Sequence, residues 1–269
     1  MKKRFYTNVY GLAKTDHLKN NLKHSLKFAL FPKDNAVTES IIKGWQYEEY
    51  IFDFIRTNKL QVEGTDIIDI GANNGNFTVD FGILAGNTGR VHAFEPQRLI
   101  YYQLCGNIFM NGLDNVYCYN VALGAEDGVT EIEVPNYHDT GYVNFGDVGI
   151  KNESTARPTE SVRLRTLDSY EFNNLSFIKM DTQGYEPMII DGAVKTIEKH
   201  RPVMIIEFEE PNLMKFGYTD QTLREKIEAL GYKVELVHPD RQYQSYSGKS
   251  LDHICIPNEK LDTINYIPQ

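Results

Sequence analysis

From residue 60 onward, short apolar runs of strand length alternate with stretches whose apolar residues recur at helical spacing. That alternation predicts a mostly parallel sheet with helices on both faces. Five strands are predicted, at 67–70, 91–95, 116–121, 176–181 and 203–208. The first feeds a helix carrying Phe77, Phe81 and Leu84 that closes at Gly86 and Gly89, and the second feeds a helix opened by Pro96 with Ile100, Leu104 and Ile108 on one stripe. A third helix is predicted from Pro187 through Ile190, Val194 and Ile197 as one element. A helix around 223–230 and two strands, 232–237 and 253–256, complete a seven-stranded sheet whose edge is an antiparallel hairpin. Between Pro135 and Glu160 lies a polar stretch with Gly141, Gly146 and Gly149, too long for an ordinary connection. It reads as a substrate loop or lid, with a plain surface insertion as the alternative.

Length and composition narrow the class. A chain of 269 residues with 41% hydrophobic content buries one sizeable core, so the expected organisation is a catalytic domain over 46–269 behind an N-terminal extension over 1–45, partly helical. The extension is basic: residues 1–35 hold eight lysines and arginines against two aspartates. It is expected to be a solvated arm, or else a docking element for an acidic partner or for a second subunit in a homodimer. No window supplies the uncharged apolar run a membrane span requires, and Met1-Lys-Lys-Arg4 leads into polar residues rather than an apolar signal core. Cys105, Cys118 and Cys255 form no CxxC pair, which speaks against a disulfide framework and for a cytoplasmic protein. The net charge of −9 disfavours an extended nucleic-acid partner, whose binding rests on clustered lysine and arginine. A small, neutral or cationic substrate fits better.

In an open α/β sheet, ligands bind beyond the C-terminal ends of the strands. Those ends are polar here. Asp69, Gly71, Asn73 and Gly75 close the first strand, where glycines let backbone approach a ligand and the next helix's amides suit a carboxylate or phosphate. Glu95 ends the second strand 26 residues after Asp69, the place where an acidic side chain accepts ribose hydroxyls. A dinucleotide fingerprint would need glycine at the second slot of G-x-G-x-x-G, and Asn73 occupies it. A methionine carboxylate and amine need no pyrophosphate cradle, so the turn favours S-adenosylmethionine over a nicotinamide cofactor.

The motifs Ile68-Asp-Ile-Gly-Ala-Asn-Asn-Gly75, Ala93-Phe-Glu-Pro96, Asn107 with Asn111-Gly112, Ala122-Leu-Gly124, Arg165-Thr-Leu-Asp168, Ile178-Lys-Met-Asp-Thr-Gln-Gly-Tyr-Glu186 and Arg201-Pro202 leading to Glu207 occur in order. Over roughly residues 45 to 256 the chain resembles the FkbM-type methyltransferases. The resemblance implies a class I, Rossmann-like methyltransferase fold with an antiparallel last strand, and O-methylation of hydroxyls on sugars or related natural products. It implies cofactor contacts from Asp69, Gly71, Asn73, Gly75, Asn76, Glu95, Pro96, Ala122 and Asp181. One departure stands out: the family commonly has an acid where this chain has Gln183.

In-line attack of an alcohol on a sulfonium methyl needs positioning and a proton acceptor. Asp181 is the first choice of base, with Glu186 and Glu207 after it. Gln183, His138 and Tyr142 are the expected acceptor contacts, and no metal is expected. An RNA methyltransferase on the same scaffold and a non-catalytic nucleoside-binding module are the competing readings. Retained acidic strand ends argue against the second and acidic charge against the first.

Overall fold

The computed structural model describes residues 8–14, 24–31, 36–42, 47–136, 144–146, 148–151, 157–237 and 252–264. Its centre is a seven-stranded sheet formed by β3 (Asp66–Ile70), β4 (Arg90–Phe94), β5 (Val116–Tyr119), β9 (Leu175–Met180), β10 (Val203–Glu207), β11 (Tyr232–Leu236) and β12 (Asp252–Pro257). In space the order is β11-β12-β10-β9-β3-β4-β5. The pairs from β10 to β5 are all parallel, while β12 runs antiparallel between β10 and β11. This is the class I methyltransferase architecture. β3 lies between β4 and β9, so the chain reverses its direction of winding at β3/β9 and opens a cleft beyond their C-terminal ends.

Alternation along each strand sorts the core into two layers. Ile68, Ile70, Ile178, Met180, Met204 and Ile206 pack with Ile189, Ile190, Ile197, Leu223 and Ile227. Those partners come from α5 (Glu186–Asp191), α6 (Val194–His200) and α8 (Asp220–Ala229). The opposite side chains, Ile67, Phe177, Ile205 and Ile254, pack with Phe52, Phe77 and Phe81 of α2 (Glu49–Thr57) and α3 (Asn76–Ala85). Alternation therefore places Asp69, Lys179, Glu207 and Asp252 on that second face.

The helix predicted as one element from Pro187 is two. The Asp168 carboxylate accepts from the backbone of Lys195 at 3.1 Å and Thr196 at 2.7 Å, capping α6 as a separate start. Arg201 likewise does structural work: it donates to the carbonyls of Leu230 and Gly231 after α8 and pairs with Glu259.

Besides α2 and the short helix after β10, a small sheet and a hairpin were not anticipated. β6 (Ala122–Leu123), β7 (Gly128–Glu133) and β8 (Thr159–Arg165) form a small sheet after β5. β1 (Asn8–Lys14) and β2 (His24–Leu30) form an antiparallel hairpin, followed by α1 (Ala36–Ile42). β2 is no solvated arm. Leu26, Phe28 and Leu30 are buried against Leu104 and Ile108 of α4 (Arg98–Met110). Gln103 and Asn107 of α4 and Asn111, which caps its C-terminus, hydrogen-bond the β2 backbone. The remaining helix, α7 (Glu210–Met214), follows β10. Among the described residues no helix is long and apolar enough to cross a membrane.

Candidate functional site

The first half of the cleft is the turn from β3 to α3. Gly71 has φ +77°, and a Cβ on it would lie 1.8 Å from the Asp181 carbonyl oxygen, so only glycine lets the ends of β3 and β9 meet there. Asp69 is fully buried; its Oδ2 accepts from Thr78 at 2.6 Å while Oδ1 has no partner. Burial pushes Asp69 upward, with Lys179 acting against it. Asn73 Oδ1, Asn74 Nδ2 and both polar side-chain atoms of Asn76 are also buried without a partner among the described residues. Buried polar atoms are ordinarily bonded, so this row calls for a polar ligand.

Glu95 closes the same half. One carboxylate oxygen accepts from the Asn73 amide at 2.9 Å and the other from the Gln97 amide at 2.8 Å. Burial raises its pKa to about 7, against the pull of those two bonds. Pro96 stands between, and its carbonyl accepts from Asn120. Ala122 is not joined to this group: it packs with Ile132, Val162 and Leu164 in the core of the small sheet.

The second half is acidic and cross-bonded. Asp181 accepts from Lys179 Nζ at 3.5 Å on Oδ2 and from Gln183 Nε2 at 3.2 Å on Oδ1. Its side chain remains 31% exposed, while that of Lys179 is 3% exposed. Glu207 lies next to Asp181; burial first, then the Asp181 charge and a hydrogen bond to it, push Glu207 far above the ordinary glutamate range. Glu207 therefore gives up its proton less readily than an ordinary glutamate, as expected when two acids share one place.

Glu186 has a different task. Its Oε1 accepts from the Thr182 amide at 2.7 Å and the Thr182 hydroxyl at 2.8 Å, tying the 181–186 turn together, and only 1% of the residue is exposed. Burial raises it to about 7. Of the three proposed bases, Asp181 and Glu207 are both partly exposed, and Glu186 is buried.

Residues that sequence reasoning passed over complete the site. Lys179 is the only buried lysine or arginine among the described residues. Burial works against its charge, but Asp181, Glu48, Asp69 and Asp252 outweigh that and hold it above the usual lysine value. The signal was present as a lone cation in the strand Phe177-Ile-Lys-Met180. Tyr50 of α2 donates to Asp252, and Glu48, in the left-handed region at φ 49°, stands at the start of that helix.

The long stretch after Pro135 reaches both halves. Gln97 Nε2 donates to the Phe145 carbonyl at 3.0 Å, and Phe145 packs edge-on to Phe31. A Cβ on Gly146 would lie 2.7 Å from Asn73 Nδ2, and one on Gly149 would lie 3.5 Å from Gln183 Cβ. His138 and Tyr142 lie outside the described residues. Among the described residues no cluster of histidine, cysteine and acidic side chains is placed to hold a metal ion.

Comparison with known proteins bears on this geometry. A model of the FkbM methyltransferase domain matches residues 69–234. No curated protein matches significantly. Solved structures include methyltransferase FkbM from Methylobacillus flagellatus KT, with 17% identity over 74% of this chain and 46% of that one, at a TM-score of 0.48. The chain thus spans about half the length of that protein. An S-adenosylmethionine-dependent O-methyltransferase from Thermotoga maritima shows 13% identity over 86% of this chain and 73% of that one, TM-score 0.46. A putative methyltransferase from Streptococcus mutans, in complex with S-adenosylhomocysteine, shows 14% identity over 76% of this chain and 92% of that one, TM-score 0.45.

Proposed function

The chain belongs to the FkbM methyltransferase family, with S-adenosylmethionine as cofactor, and from that premise we propose that it methylates a hydroxyl oxygen of a sugar or glycan. The observation that carries the reading is the Asp181–Glu207 pair. It sets a partly exposed carboxyl group beside a glutamate whose hold on a proton is raised, at the ends of adjacent strands next to the polar turn, with Gln183 Nε2 between the two.

The residues of the first half fit the cofactor. Asp69 Oδ1 is a buried acceptor without a partner, suited to the methionyl ammonium, and the Asn76 amide offers a donor to the carboxylate. Glu95 keeps further lone pairs on both oxygens for ribose hydroxyls. When bound, S-adenosylmethionine supplies an electrophilic methyl on sulfur.

Asp181 would take the proton of the acceptor hydroxyl as the oxygen bonds to the methyl carbon and the carbon–sulfur bond breaks, its electron pair returning to sulfur so that S-adenosylhomocysteine leaves as a neutral thioether. Glu207 gives up its own proton less readily, and Gln183 Nε2 between the two acids fixes the direction in which the base presents its free lone pair. Gly146 and Gly149, seated against Asn73 and Gln183, limit water between the two halves. Neutral, hydroxyl-rich acceptors suit a wall of carboxyl groups better than phosphorylated ones, which the acids would repel.

The test is incubation with methyl-labelled S-adenosylmethionine and a panel of glycosides, followed by mass spectrometry of the products. Label on a sugar oxygen is expected. S-adenosylhomocysteine binding without label on any hydroxyl would remove the acceptor assignment.

A further inference from the structure

Gln183 stands where an acceptor contact was expected, yet its side chain is fully engaged within the protein. Nε2 reaches Asp181 Oδ1 at 3.2 Å and Glu207 Oε2 at 3.5 Å, and Oε1 accepts from Asn212 Nδ2 at 3.0 Å. Asn212 is buried on α7; its Oδ1 accepts from Lys215 Nζ, and its Nδ2 donates to the Glu209 carboxylate as well as to Gln183. The direction of every bond is fixed by chemistry. Lysine can only donate, so Asn212 must turn its oxygen to Lys215 and its NH2 to Gln183. Gln183 must then offer its oxygen to Asn212, which leaves both its N–H groups for the two acids.

We propose that Asn212 and Gln183 are positioning residues, forming a one-way hydrogen-bond relay from Lys215 through Asn212 and Gln183 to the Asp181–Glu207 pair. This rests on the reading of that pair as the base and a neighbour whose hold on a proton is raised. Bonds aligned in one direction polarise one another, so a cation at one end strengthens the donors delivered to the acids at the other. An acid at position 183 could not do this, because it has no donor to give both neighbours.

The backbone is built for the relay. Gln183 sits in the left-handed region at φ 60°, a cost for a non-glycine residue. Gly184 follows at φ +100°, and a Cβ there would lie 2.3 Å from the Asn212 carbonyl oxygen. The turn is therefore pressed directly on α7, which brings the Gln183 and Asn212 side chains together. On the other side Lys179 holds Asp181 Oδ2, so both oxygens of the base are fixed by donors.

The relay is tested with Gln183→Leu, Asn212→Leu and the double variant, using the glycoside that accepts label. Each single change lowers kcat about tenfold, the worth of one hydrogen bond to a charged group, with acceptor KM and S-adenosylhomocysteine affinity unchanged. The double variant loses no more than either single one, because both break the same unit. A raised KM with intact kcat in Gln183→Leu would make it an acceptor contact and overturn the proposal, as would multiplicative losses in the double variant. Should Asn212→Leu not fold, Asn212→Ser, too short to span the gap, carries the same expectation.

A second readout needs neither cofactor nor acceptor, so it separates failure of the relay from failure of the proposed function. In glutamine-15N-labelled protein, the Gln183 side-chain amide protons are expected to be resolved and slow to exchange with water. Asn212→Leu should collapse them to the position of free amides. Unchanged signals in that variant would overturn the relay whatever the protein methylates.

Discussion

The two halves of the cleft present opposite treatments of buried polar atoms. Around Asp69–Asn76 and Glu95 the partners are mostly backbone amides, and five side-chain atoms, Asp69 Oδ1, Asn73 Oδ1, Asn74 Nδ2 and the Asn76 amide pair, are left without any among the described residues. Around Asp181 and Glu207 the partners are side chains drawn from β9, the following turn and α7, and the key atoms bond each other. The first half is a mould with a piece missing; the second is a cross-bonded circuit of acids in which Glu186 Oε2 alone among the carboxylate oxygens is buried without a partner among the described residues. A mould suits a ligand of fixed shape, as a cofactor is, and a circuit suits proton transfer to acceptors that vary.

Three changes would break or sharpen that contrast. The largest effect is expected from Asp181→Asn, which should lower methyl transfer about 10²- to 10⁴-fold and leave S-adenosylhomocysteine affinity within about twofold, both read on one preparation. If affinity fell with rate, the halves would not be separable. Gly71→Ala should come next. Its Cβ would meet the Asp181 carbonyl in a residue already at positive φ, costing about 3 kcal/mol or more in urea unfolding. An unfolding midpoint like that of the wild type would mean that β3 and β9 can part without penalty. The smallest and most discriminating change is Asn76→Ala. Because its amide has no partner among the described residues, stability should move by less than about 1 kcal/mol while S-adenosylhomocysteine binding weakens about tenfold. The opposite pattern, lost stability with intact binding, would make Asn76 a structural residue.

The same contrast explains what the sequence made legible. The sheet, its seven strands and the helices after β3, β4 and before β11 follow from periodicity, and the cofactor turn follows from glycines and an acid at fixed spacing, because one contiguous segment builds it. The acid half has no such local grammar. Gln183 meets Asn212 across 29 residues and Glu207 across 24, and only the fold brings them together. Glu186 looked like a base from its place beside Asp181, yet its bonds to Thr182 make it a turn holder. Lys179 was readable in principle, since lysine is almost never buried without a paired charge. The alternation Leu26, Phe28, Leu30 also announced a strand that the basic charge of the N-terminal segment obscured.

The central claim is that Glu95 anchors the nucleoside of S-adenosylmethionine, and its displaced titration offers the most direct test. With its pKa raised to about 7 by burial, Glu95 gains a proton below that pH and then offers ribose hydroxyls a poorer acceptor. The same displacement means that the unliganded fold loses stability as pH rises from the range of a free glutamate through 7. Binding should do the reverse. Calorimetric titration with S-adenosylhomocysteine at pH 8 and pH 6 should show affinity about tenfold higher at pH 8, with proton release near pH 7 that disappears in Glu95→Gln. No binding at either pH, or a pH dependence that survives Glu95→Gln, would contradict the account.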